Sequence, residues 1–258
     1  MAIWALSDPH LSFGDAKPMH IFGEHWRNHP AKIEQGWRAC VRPADTVMVT
    51  GDLSWARTFR HALEDLRWLD ALPGAAKLIV RGNHDQWWPG TADEWRQVPP
   101  TLRLLEGEAV AIGGEIFCGT GGWLSPEDPY FEALDQPRYE RELAAFGRAL
   151  EQAAALLRGQ GGRGFHVLLH FPPYTSHGQP TAFDGLLRRY PARTVTFGHF
   201  HLPEEWAACP QGAVDGVHYT LASADFVAFA PAAIPAGDGA EPGAGREWTA
   251  TSPARPAE

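Results

Sequence analysis

The chain has 258 residues, 44% hydrophobic and 21% charged, enough for one sizeable core and too few for more than two small domains. Its 31 acidic against 22 basic residues leave a net charge of −9, which excludes a general electrostatic pull toward nucleic acid or anionic lipid. No apolar run approaches the ~20 residues of a membrane helix, and three scattered cysteines (Cys40, Cys118 and Cys209) argue against a disulfide framework.

The opening "MAIWALSDPH" has neither a charged leader nor a long apolar segment, so no signal peptide is expected. With so few cysteines, a soluble cytoplasmic protein is expected. The run "IWAL" at 3–6 predicts a first buried strand. Ile33, Trp37, Cys40 and Val41 then recur at helical spacing. "TVMV" at 46–49 predicts a strand, and Phe59, Leu63, Leu66 and Leu69 a second helix, ending near Pro73-Gly74. "KLIV" at 77–80 and "EIFC" at 115–118 read as further strands. Residues 138–158 predict the longest helix, closed by Gly159 and the glycines after it. "FHVLL" at 165–169, "TVTF" at 194–197 and "VHYTLA" at 217–222 complete the strands.

Strands alternating with helices imply a layered α/β fold. The late strands lack long helices between them, which suggests a mixed sheet or two sheets packed face to face. From about Pro231 the chain turns Ala/Pro/Gly-rich, with few large apolar residues. Residues 1–230 are therefore read as one domain and 231–258 as a flexible tail.

The chemistry sits where these strands end. "IWAL" runs into Ser7-Asp8-Pro9-His10, "TVMVT" into Gly51-Asp52, and "KLIVR" into Gly82-Asn83-His84-Asp85. "FHVLL" is followed by His170, and "TVTF" by Gly198-His199-Phe200-His201. Ligand sites of open α/β sheets form outside the carboxyl ends of strands, so these residues can converge. If the first strand continues, Asp8 and His10, two apart, face the same way. Imidazole, carboxylate and amide donors suit borderline divalent ions such as Mn, Fe or Zn. Seven such side chains exceed the needs of one ion and suit two sharing a carboxylate. The glycines beside Asp52, Asn83 and His199 fit tight turns.

These five blocks, in this order over residues 8–201, resemble the calcineurin-like metallophosphoesterase superfamily. The resemblance implies a four-layer α/β/β/α sandwich of two mixed sheets and a binuclear metal centre, with manganese the first choice and Fe, Zn, Ni or Mg the others. It implies that Asp8, His10 and His201 hold one metal, that Asn83, His170 and His199 hold the other, and that Asp52 bridges them. A metal-bridging hydroxide would attack phosphorus. His84 would contact the phosphate and protonate the leaving oxygen, and Asp85 would orient His84. "GDLSWAR" and the Asp after Gly-Asn-His depart from the family's protein phosphatases and look more like its bacterial predicted phosphohydrolases.

The expected partner is thus a small phosphoester, a nucleotide among the candidates, with a phosphodiester favoured over a monoester. The missing basic surface speaks against a repair nuclease. A catalytically silent scaffold that binds a partner protein is the alternative; it would be marked by lost ligands, and no ligand is missing. Around the blocks, the histidines of "MHIFGEHWRNHP" (His20, His25 and His29) form either a lid or a solvated loop. Trp55, Trp87, Trp88 and Trp123 either wall the site or pack in the core. Arg57 and Arg81 are candidate phosphate contacts, Arg81 equally a structural ion-pair partner.

Overall fold

A computed structural model describes residues 1–15, 17–160 and 164–235. The first half alternates strictly: β1 (Ile3–Leu6), α1 (His29–Cys40), β2 (Thr46–Val49), α2 (Phe59–Asp70), β3 (Ala76–Val80), α3 (Ala92–Gln97) and β4 (Leu102–Leu105). The second half runs β5 (Glu108–Ile112), β6 (Glu115–Thr120), α4 (Gln136–Gln160), β7 (Phe165–Leu169), α5 (Ala182–Leu187), β8 (Ala192–Phe197) and α6 (Pro203–Ala208). β9 (Gly212–Val214), β10 (Val217–Leu221) and β11 (Ala232–Ile234) close it.

Local chemistry sets the helix starts. Thr58 caps α2 by accepting from the His61 N–H, and Thr91 with Glu94 forms a reciprocal capping box on α3. β2, β3 and β7 are buried at every residue, as strands covered on both faces must be.

Two sheets result. One has the order β11-β1-β2-β3-β4 and the other β5-β6-β7-β8-β10-β9. β1 to β4 run parallel, with β11 antiparallel on the edge. In the second sheet β6, β7, β8 and β10 run parallel, and β5 and β9 are antiparallel edges. Ala5, Met48, Leu78 and Val80 of the first sheet pack on Phe117, Leu168 and Ala222 of the second. The outer face of the first sheet packs under α1 and α2 through Ile33, Trp37, Leu66 and Leu69. α4 and α5 cover the other through Phe146, Leu150 and Phe183. The result is the expected α/β/β/α layering. Each large apolar side chain fully buried in these three cores contributes roughly 1.5–3 kcal/mol.

At their carboxyl ends the sheets are tied together. Ser7 N–H donates to Ala222 O at 2.6 Å and Ala224 N–H to Ser7 O at 2.9 Å. The loops after β1, β2 and β3 thereby meet the loops after β7, β8 and β10. β11 lies inside the stretch expected to be tail: Ile234 is buried against Ile3, its partner in the register. Averaging composition over that stretch hid one alternating apolar residue, which is all a three-residue edge strand needs. Residues 236–258 of the expected tail lie outside the described residues.

Candidate metal centre

Asp8 and His10 lie beyond the end of β1, Asp52 beyond β2, Asn83 to Asp85 beyond β3, His170 beyond β7, and His199 and His201 beyond β8. Asp8, His10, Asp52 and His199 all adopt left-handed backbone angles, at φ 55°, 47°, 49° and 70°. Such angles are uncommon outside glycine and cluster where a site needs a side chain aimed out of line. The pairing of Asp8 with His10 therefore does not come from strand alternation, which stops at Leu6. Two left-handed turns flanking Pro9 aim both side chains at one place.

Two clusters of potential ligand atoms form, each with all atoms within 4.8 Å of one another: Asp8, His10 and His201, and Asp8, Asp52 and His170. His201 Nε2 stands 3.6 Å from Asp8 Oδ1. Asp52 Oδ2 stands 3.9 Å from His10 Nε2 and 3.6 Å from His170 Nε2, between the two sides. Asn83 Oδ1 is 2.8 Å from His170 Nε2. The His199 ring lies outside both clusters, with its centroid 5.1 Å from that of His170. All seven side chains expected to ligate thus gather where the carboxyl ends of the two sheets meet, six in close contact and His199 on their border.

The surrounding backbone fixes them. His170 Nδ1 pairs with Thr50 O at 3.0 Å, which leaves Nε2 to face the site. The His199 N–H donates to Asp8 Oδ2 at 3.0 Å, and the His84 N–H to Asp52 Oδ1 at 2.8 Å. The motif glycines divide by reason. Gly51 takes φ +93°, the expected turn. At Gly82 and Gly198 φ is ordinary, but an added methyl would overlap Asp52 in the first case and Ser7 and Asp8 in the second. Their role is close approach, not turn geometry.

The donor set fits divalent cations. Asp8 is 0% and Asp52 2% exposed, and Asp8 Oδ1 has no hydrogen-bond partner. A buried carboxylate oxygen left unpaired is costly. Burial and the charges of Asp8 and Asp85 push the Asp52 pKa well above the usual carboxylate range. Burial also raises Asp8, but His201, His170 and His10 outweigh it and hold that carboxyl below its usual range. Burial drives the His10 and His199 pKa values well down, so both rings keep a free lone pair. For His201 burial opposes charge, yet Asp225 and Asp8 prevail and push the pKa up to about 11. A proton there sits between two carboxylates, where the charge of a metal would serve.

Asp225 is the residue that the motif reading overlooked. Its Oδ1 lies 3.0 Å from His201 Nδ1, which turns Nε2 toward Asp8. Carboxylates that orient a ligating imidazole this way typically contribute 10–100-fold in metal affinity. Replacing Asp225 by Ala is expected to weaken binding of one metal by about that factor, with Asn restoring part of it. Titration of the metal-free protein with Mn²⁺ measures this, and unchanged affinity would remove Asp225 from the site. The available signal was the same strand-end rule: "VHYTLA" runs into Ser223-Ala224-Asp225.

Asp85 behaves otherwise than expected. Its carboxylate accepts from Gly82 N–H at 2.8 Å, Ser54 N–H at 3.1 Å and the Trp87 indole at 2.8 Å. Among the described residues it makes no bond to the His84 ring. It locks the loop that carries Asn83 and His84, because three converging donors hold a buried carboxylate more firmly than one imidazole would. The His84 ring lies 4.0 Å from that of Trp55, with Nε2 3.9 Å from Asp52 Oδ2. Burial, then His170 and Lys17, hold its pKa down at about 4.

The neighbouring candidates sort clearly. Trp87 and Trp88 are core residues, 1% and 7% exposed. Arg81 Nε donates to Asp85 O at 3.0 Å, a structural contact. His29 bridges Trp26 O and His10 O and so supports the first ligand loop. His25 and Trp55 line a cavity of about 280 Å³ over the site, together with His10, Asp52, His84 and His201.

The calcineurin-like phosphoesterase family matches residues 1–203. No curated protein matches. Among solved structures, a protein of unknown function from Aquifex aeolicus is similar at 14% identity and a TM-score of 0.45, over 90% of this chain and 95% of that one. No helix among the described residues is long and apolar enough to cross a membrane.

Proposed function

The chain belongs to the calcineurin-like phosphoesterase family, and on that premise we propose that it hydrolyses a small phosphodiester, with phosphomonoesters as second substrates. The observation that carries this reading is the pair of ligand clusters at the joined carboxyl ends of the two sheets, with Asp52 between their imidazoles. In this proposal Asp8, His10 and His201 hold one divalent ion, Asn83, His170 and His199 the other, and Asp52 is shared. The ions, manganese by preference, would polarise the phosphoryl oxygens and lower the pKa of water. The protein's own part is to orient the ligands and to give a proton or a hydrogen bond from His84, whose side chain is 37% exposed beside Asp52. Asp85 and Asp225 act as positioning residues, the first on the loop backbone and the second on the His201 ring.

Turnover of bis-p-nitrophenyl phosphate and p-nitrophenyl phosphate with Mn, Fe, Zn, Mg and Ni in turn tests the reading. The expected result is activity that needs added metal, disappears on chelation and favours the diester. Metal-loaded protein that cleaves neither ester nor any member of a nucleotide panel would replace the reading with a binding scaffold.

A further inference from the structure

The cavity over the candidate centre is built unevenly. On the inner side it is polar, with His10, Asp52, His84 and His201. The outer wall comes from the segment before α1, folded as two 3-10 turns, Met19–Phe22 and Glu24–Trp26. Two buried anchors hold this segment. Met19 is 4% exposed and its Sδ accepts from Trp55 Nε1 at 3.1 Å, and Trp26 is 3% exposed and packs edge-on against His10 and His201. Between the anchors Phe22 stays 54% exposed. Beyond His201, Leu202 lines the same cavity and is 50% exposed.

Exposed apolar side chains at the rim of a polar site mark what the ligand brings there. Among the described residues neither lysine nor arginine lines this cavity, while Asp52 and Asp225 do. Lys17 and Arg57 instead front a separate cleft shared with His84 and Trp55. An anionic substituent in the cavity would find no lysine or arginine among these lining residues to pair with. A volume of about 280 Å³ suits one ring beside a phosphoryl group, since a cavity of about 150 Å³ already accepts benzene. Trp55 is the more engaged of the aromatic rings: it stacks 5.0 Å from His10 and carries the Lys17 ammonium at 2.8 Å, whereas Phe22 stands 6.4 Å from Trp55 and 5.3 Å from Lys17 and keeps its outer face open. Contact with a substituent therefore falls to Phe22 and Leu202.

We infer that the phosphoester substituent facing this cavity is an uncharged aromatic or apolar group, seated against Phe22 and Leu202. The inference rests on the phosphoesterase reading of the site. Calorimetric binding of three phosphonates to the full-length chain loaded with Mn²⁺ tests it without turnover: methylphosphonate, phenylphosphonate and phosphonoacetate. Phenylphosphonate is expected to bind roughly 10–100-fold tighter than methylphosphonate, the worth of burying one ring. Phe22→Ala and Leu202→Ala are each expected to cut that ratio severalfold while methylphosphonate affinity holds. Equal affinities in the unmodified chain, a ratio untouched by both substitutions, or tighter binding of phosphonoacetate would overturn the inference alone and leave the phosphoesterase reading standing. If none of the three binds the loaded protein, the phosphoesterase reading falls and the inference with it.

Discussion

Asp52→Asn is expected to yield a folded protein that holds at most one divalent ion tightly and has lost activity by roughly 10³-fold or more, because the polarisation lost is worth several kcal/mol. Two carboxylates compete for the sharing role, since Asp8 belongs to both ligand clusters. The nitrogens decide between them. Asp8 Oδ1 approaches His170 at Nδ1, 3.8 Å away, but that nitrogen is already paired with Thr50 O. Asp52 Oδ2 approaches His170 at Nε2, the nitrogen that faces the site, and also stands near His10 Nε2. Asp52 is therefore placed between an imidazole of each set.

Asparagine keeps an oxygen for the His84 N–H, so the loop geometry survives the change. It removes one of three neighbouring buried carboxylates, Asp8, Asp52 and Asp85. In the metal-free fold the Asp52 pKa lies above its unfolded value, so the native state binds more protons than the unfolded one between those two values. Stability in the metal-free state then falls as pH rises through that window. The metal-free variant is accordingly expected to melt no lower than the metal-free parent at pH 7. Metal content by elemental analysis, activity and the two melting curves separate the outcomes. Full activity with two bound ions would contradict the assignment, and a lower metal-free melting temperature would mean that Asp52 acts as a structural residue.

The strand-end residues were legible because a parallel strand buried on both faces leaves a short, unmistakable apolar run, and the residues just past such a run sit by construction at a sheet edge. That rule found Asp8, His10, Asp52, Asn83, His170, His199 and His201 from five runs scattered over the chain. It applied equally to Asp225 and was not carried to the last run, where the chemistry-bearing residue is a lone aspartate without a glycine or histidine beside it. Roles were harder to read than places. Asp85 follows His84 directly, and adjacency suggested an imidazole partner. Only the tertiary path of the loop shows that Gly82, Ser54 and Trp87 converge on its carboxylate. The wall made by Met19–Phe22 was equally hidden, because its position depends on two buried anchors, Met19 and Trp26, in a segment with no periodic pattern. β4 and β5 passed unnoticed because edge strands carry polar residues, the exposed Arg103 and the half-buried Glu108, that break up an apolar run.

His84→Ala should separate chemistry from metal binding. The ring contributes no atom to either ligand cluster, so both ions are expected to stay while turnover falls by ~10²–10⁴, the usual range for a proton-transfer group. Burial keeps the ring neutral at pH 7, with its pKa at about 4. It therefore meets the substrate with one N–H to give. As a phosphate contact it would stabilise every ester alike. As the donor to the leaving oxygen it matters in proportion to how poorly that oxygen departs as an anion. p-Nitrophenolate leaves readily and needs little help, whereas an alkoxide needs a proton. The loss in His84→Ala is therefore expected to be larger for an alkyl ester than for the p-nitrophenyl ester, if the ring protonates the leaving group. Equal losses for both would assign it to phosphate binding alone, and loss of a metal ion would make it a ligand instead.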